Sequence, residues 1–206
     1  LEAARRIQAA LDVDKTTKRF FTSYSEQHEQ LLGKIDGIDD ERDRRWYASV
    51  ILNRLMFVWF LQKKFFLDDG NVDYLQSKLV QSRQRGKDRF FGEFLSALFF
   101  DAFAKPEGDR SKQASALTGQ VPYLNGGLFL HHKLELDEQH RPRLGTTLRI
   151  PDTAFEGVFN VFAAFTWHLD DTPGGDADEI NPDVLGYIFE KYINQKAFGA
   201  YYTRPE

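Results

Sequence analysis

Between Trp46 and Leu61 every position is apolar except Ser49, Asn53 and Arg54. A helix with apolar side chains all round has no face to offer water, so this segment must be the buried centre of a helical bundle. The surrounding sequence predicts one helix from about Glu41 to Phe66, with Asp39 or Asp40 as N-cap and acidic residues in the first turn, where the helix dipole favours them. Arg54 sets a second condition. A guanidinium in such a helix needs a buried acceptor or ion partner, so a salt-bridged core arginine is expected. The longest uninterrupted apolar run, Leu55 to Leu61, is far shorter than the roughly 20 residues that cross a bilayer.

Other segments carry helical periodicity. Phe20, Phe21, Tyr24, His28, Leu31 and Leu32 fall on one face of a helix expected over Asp14 to Leu32. Val72 to Gln84, Arg89 to Phe103 and Pro151 to about Trp167 follow, each bounded by Gly, Pro or Asp signals. Around 121–150 the texture changes. Val121 to Phe129 reads as extended chain with an Asn125-Gly126-Gly127 turn, and Leu134–Leu136 and Thr147–Ile150 alternate like short strands of a hairpin around Gln139 to Gly145. The expected fold class is therefore mainly α, a helical bundle with a minor β-hairpin or extended segment near 121–150. Polar Lys105 to Ser115 marks a boundary between an N-terminal helical layer, 1–115, and a mixed connector, 116–194.

Composition narrows the chemistry. The chain holds no Cys, which excludes thiolate zinc sites, iron-sulfur clusters and a cysteine nucleophile, and with no signal peptide in view it points to a cytoplasmic location. The absence of an initiator Met and the Thr203-Arg204-Pro205-Glu206 ending read as cuts from a longer chain. Neither Gly-rich phosphate loop pattern occurs, and no Asp or Glu stands two residues before a Lys, so P-loop hydrolysis and the acid-x-Lys type of nuclease are not expected. Asp36, Asp39, Asp40, Glu41 and Asp43 lie where a helix start wants acids, and His28, His131, His132, His140 and His168 show no ligand spacing, so no metal site is expected. Asn181-Pro182-Asp183-Val184 lacks the second Pro and the aromatic of an adenine methyltransferase tetrapeptide, and reads as the capped start of a helix over Val184 to Asn194. The net charge is −4, yet Arg83, Arg85, Lys87 and Arg89 crowd one turn. That turn is either a solvated face or a set of DNA phosphate contacts.

Two stretches are more specific. Asn181-Pro182-Asp183-Val184-Leu185-Gly186-Tyr187-Ile188-Phe189-Glu190-Lys191-Tyr192-Ile193-Asn194, followed by Gly199-Ala200-Tyr201-Tyr202-Thr203-Arg204-Pro205-Glu206, resembles the approach to the methyltransferase domain in large N6-adenine DNA methyltransferases, the type IIG restriction-modification enzymes and related phage-defence methylases. Trp46 to Leu67 and Pro122 to Phe129 are similar to the helical region those proteins carry upstream. The resemblance implies that 195–206 begins a truncated methyltransferase domain. It places Ala200, Tyr201, Tyr202, Thr203 and Pro205 at the S-adenosylmethionine pocket, with the Thr203 hydroxyl on the methionine carboxylate. Arg204 departs from the pattern, where a small residue, Pro or Lys often stands. The catalytic tetrapeptide and the Gly-rich cofactor loop would lie beyond Glu206, so the fragment is expected to be catalytically silent and not to bind the cofactor alone. Its implied partners are double-stranded DNA and the downstream domain, with no membrane. The alternative is a helical protein–protein interaction module of a host-defence complex.

Overall fold

The computed structural model describes residues 2–124, 126–167 and 179–180, with side chains from residue 15 onward except that of Glu179. Helix α1, Glu2–Leu32, begins well before Asp14, because the Ala-, Arg- and Gln-rich segment ahead of it contains no breaker. Its expected face is buried through Phe20, Tyr24, His28, Leu31 and Leu32.

Helix α2, Glu41–Lys63, starts at Asp40, whose carboxylate accepts from Asp43 N at 2.8 Å. Beyond its first turn it is buried round most of its circumference, with Trp46, Val50, Phe57 and Phe60 half-buried along one side, and its polar interruptions are cross-links rather than defects. Asn53 Oδ1 accepts from the Tyr24 hydroxyl of α1 at 2.9 Å, and Ser49 Oγ lies 2.9 Å from His28 Nε2. Gln62 Oε1 accepts from Leu75 N at 3.0 Å, at the start of α3, Tyr74–Arg85. Each bond satisfies a buried polar group and fixes the rotation of one helix against another.

The Phe-rich stretch expected as a helix over Arg89 to Phe103 is helical but of the wider π type, in two segments, Phe90–Leu95 and Leu98–Ala102. Phe90, Phe91, Phe94, Phe99 and Phe103 are all buried, with Phe90 stacked on Phe94 at 5.1 Å and set edge-on to Phe155 at 4.9 Å. Gly92 allows this helix to touch the turn near residue 145 backbone to backbone, since a Cβ there would collide with Gly145 Cα.

Inside the polar stretch 105–115 the structure places a short 3-10 turn, Glu107–Asp109, and the start of α4, Lys112–Thr118, capped by Ser111. The β excursion is smaller than the alternation predicts. Lys133–Glu135 is a 3-10 turn, and the expected hairpin does not form: Leu136 makes a single antiparallel bridge to Pro142, which cannot donate to a ladder, while Arg149 bridges antiparallel to Asp36. Helix α5, Thr153–Ala163, ends before Trp167. Thr166–Trp167 forms β1 and pairs in parallel with β2, Glu179–Ile180. Among the described residues the chain is mainly α, around a core that runs from Phe20 to Ile180.

Candidate functional site

The most deeply buried charges in the structure meet at Arg54. Its side chain is 2% exposed and pairs with Glu135, which is 0% exposed. Nε donates to Leu128 O at 2.8 Å and Nη2 to Leu130 O at 2.8 Å. The guanidinium also lies 5.3 Å from the Phe99 ring centroid and 5.1 Å from that of Phe100. Glu135 is saturated in turn: the Tyr47 hydroxyl donates to Oε1 at 2.9 Å and His132 N to Oε2 at 2.7 Å. Burial and the neighbouring Glu135 carboxylate push the Tyr47 phenol well above its ordinary range, so it is a fixed donor. The expected partner of Arg54 thus exists, and the pair pins the 128–135 loop onto α2 and the π helix. The loop's outer face carries Leu130 and His131, the latter stacked on Phe100 at 3.8 Å.

The basic turn is less free than its composition implies. Arg83 pairs with Glu156 at 2.6 Å, Arg85 with Glu93 at 2.8 Å, and Arg89 reaches the same Glu93 at 4.0 Å. Lys87 stands exposed, with no ion pair among the described residues. The turn is stapled to α5: Asp88 Oδ1 accepts from Asp152 N at 3.0 Å, and Asp152 Oδ1 accepts from Phe90 N at 3.0 Å. Asp152 Oδ2 has no partner among the described residues, and burial, aided by Asp88, raises its carboxyl pKa.

Lys87 and Arg89 border an open groove of about 970 Å³ that Lys34, Lys105 and Arg149 also line. Four carboxylates share it: Asp36, Asp88, Glu93 and Asp101. Glu93 and Asp101 are already committed to Arg85 and Lys105, the latter pair at 3.0 Å. The groove is therefore only weakly basic, and among the described residues its cations without an ion pair are Lys34, Lys87 and Arg149, of which Lys34 donates to Thr153 O at 3.3 Å.

Asp40 caps α2, His132 Nδ1 accepts from Leu134 N, and His28 is buried against Arg45 O, so these groups serve the fold. Among the described residues no cluster of three metal-ligating side chains occurs, and no helix is long and apolar enough to cross a membrane. Asn125, His168, the Asn181 to Val184 motif and the pocket residues Ala200, Tyr201, Tyr202, Thr203 and Pro205 lie outside the described residues. Sequence reasoning missed Glu135, Glu93 and Glu156 as the partners. The one signal was Glu135 itself, an acid between two leucines.

Residues 46–152, which span the Arg54 network and most of the groove, match the family model described as "Domain of unknown function (DUF7814)", and the chain belongs to that family. A curated protein of Methanocaldococcus jannaschii, named "Putative type II restriction enzyme and methyltransferase", is 30% identical over 179 residues, covering 81% of this chain and 14% of that protein. The chain is thus related to a restriction-modification protein, of which it spans a small part. No solved structure matches it.

Proposed function

We propose that this chain is the non-catalytic helical part of an N6-adenine DNA methyltransferase of a restriction-modification or phage-defence system, working in the cytoplasm. The observation that carries this reading is the 30% identity, over most of the chain, to a relative named as a restriction enzyme and methyltransferase. The relative's far greater length supports a larger parent, in which 195–206 leads into the methyltransferase domain and the bundle braces that junction. The parent would use S-adenosylmethionine, with Ala200, Tyr201, Tyr202, Thr203 and Pro205 at one edge of its pocket. In the full-length protein, Thr203→Ala should weaken S-adenosylmethionine binding by about 1 to 3 kcal/mol if its hydroxyl meets a charged carboxylate. Calorimetry on the full-length protein, alongside transfer of labelled methyl groups to adenine in duplex DNA, tests both parts. No methylation refutes the reading, and an unchanged affinity removes the role of Thr203.

DNA contact through the basic turn belongs to the same proposal. Lys87 is the cation of the turn with no ion pair among the described residues, while Arg83, Arg85 and Arg89 would have to exchange Glu156 and Glu93 for phosphate. Replacing all four with Ala should weaken DNA binding about equally across sequences and flatten its salt dependence, by about 0.9 in slope for each phosphate no longer neutralised. An unaltered slope would leave the turn as scaffold.

A further inference from the structure

The connection from α2 to α3 exposes what a folded surface usually hides. Phe65 is 67% exposed and Phe66 is 59% exposed, next to each other in sequence and on one side of an open groove of about 1000 Å³. The backbone is forced to present them. Phe65 has φ +62°, and Asp68 and Asp69 follow at +46° and +57°, a left-handed region that costs non-glycine residues stability. The turn is nonetheless held firmly. Asp68 N donates to Gln120 O at 2.6 Å, its carboxylate pairs with Lys78 at 3.1 Å, and Lys63 Nζ donates to Val72 O at 3.0 Å. Gly119 is part of the clamp, because a Cβ there would collide with the Asp68 carboxylate. Two phenyl rings fixed outward by a strained, well-anchored turn are a preformed apolar anchor site.

The charges around them describe the occupant. The groove is lined by Asp68, Asp69 and Glu107, and by Arg110. Asp69 and Glu107 hold no cation among the described residues, whereas Arg110 is turned onto the carbonyls of Lys105 and Val121 at 3.1 and 2.9 Å. Apolar rings beside spare carboxylates suit a polypeptide segment with apolar anchors flanked by Lys or Arg, and they disfavour a polyanion. The match covers only 14% of the M. jannaschii relative, which shows how much chain can surround such a domain. We infer that the Phe65–Phe66 groove docks a basic, apolar-anchored segment from elsewhere in the same longer polypeptide. This rests on the proposal that the chain works inside a larger methyltransferase.

The test is site-specific photocrosslinking in the purified full-length protein, with p-benzoylphenylalanine in place of Phe66 and peptide mapping by mass spectrometry. The expected result is an intramolecular crosslink to one segment outside residues 1–206, with Lys or Arg beside its apolar residues. Adding Asp69→Asn, which tolerates the positive φ, and Glu107→Lys, both at exposed positions, should cut the yield at least fivefold while the circular dichroism melt of the protein is unchanged. No crosslink, crosslinks only to a second copy or to added DNA, or a yield insensitive to these charge changes would each overturn the inference. Methylation assayed on the same protein separates the two proposals. Methyl transfer without the crosslink removes the docking alone, and the crosslink without methyl transfer removes the enzymatic reading alone.

Discussion

Replacing Arg54 with Met should be among the most damaging single changes in the chain. Met keeps much of the side-chain volume and removes the charge. Glu135, which is 0% exposed, would then keep its carboxylate with only the Tyr47 hydroxyl and the His132 N–H as donors. Leu128 O and Leu130 O would also lose the guanidinium N–H groups that serve them. Breaking a buried pair from one side typically costs about 3 to 5 kcal/mol, because a charge is stranded in a medium that solvates it poorly. Against a total stability of about 5 to 15 kcal/mol, that is a large share. With a urea m value of about 2 to 3 kcal/mol/M, the midpoint should fall by about 1 to 2.5 M. The double variant Arg54→Met/Glu135→Leu removes both charges and should regain most of the loss, giving a large favourable coupling in the cycle. Urea denaturation of the four proteins, followed by far-ultraviolet circular dichroism, measures this directly. A single-mutant cost below about 1 kcal/mol, or a double mutant equal to the sum of the singles, would refute the claim that the ion pair anchors the loop.

Two further predictions concern buried titratable groups. Burial, reinforced by Asp88, raises the Asp152 pKa above its ordinary 3.8, so its ionisation penalises the folded state as the pH rises through that raised value. Asp152→Asn keeps the acceptor for Phe90 N and should be at least as stable as the unsubstituted protein at pH 7, with the difference shrinking as the pH falls toward the ordinary 3.8; a lower urea midpoint than that of the unsubstituted protein at pH 7 would contradict this. Burial lowers the His28 pKa below its ordinary 6.5, so the unfolded chain takes up that proton first and the stability is present above about pH 6.5 and lost as the pH falls through the window down to the lowered value. His28→Gln should therefore have a flatter denaturation midpoint between about pH 7.5 and 5.5, and an equally steep dependence in both proteins would assign the acid sensitivity to other groups.

The bundle was legible in the amino-acid order. A stretch as apolar as Trp46 to Leu61 can only be a central helix, and the spacing from Phe20 to Leu32 can only be a face turned toward it, because both follow from local geometry and the cost of wetting apolar surface. The same order required that Arg54 find a buried partner. It could not say which, since Glu135 lies 81 residues away and sequence separation carries no information about pairing across a fold. Packing alone fixed the fate of the basic turn. Its four cations read equally as a solvated face or as phosphate contacts, and the order could not tell that α5 brings Glu156, and the π helix Glu93, to three of them. The turn after α2 obeys the same logic, for Phe65, Phe66 and Leu67 make a short apolar run that argues for burial. The clamp from Gln120, Lys78 and Gly119 turns them outward instead, and those contacts exist only once α3 and α4 have packed beside α2.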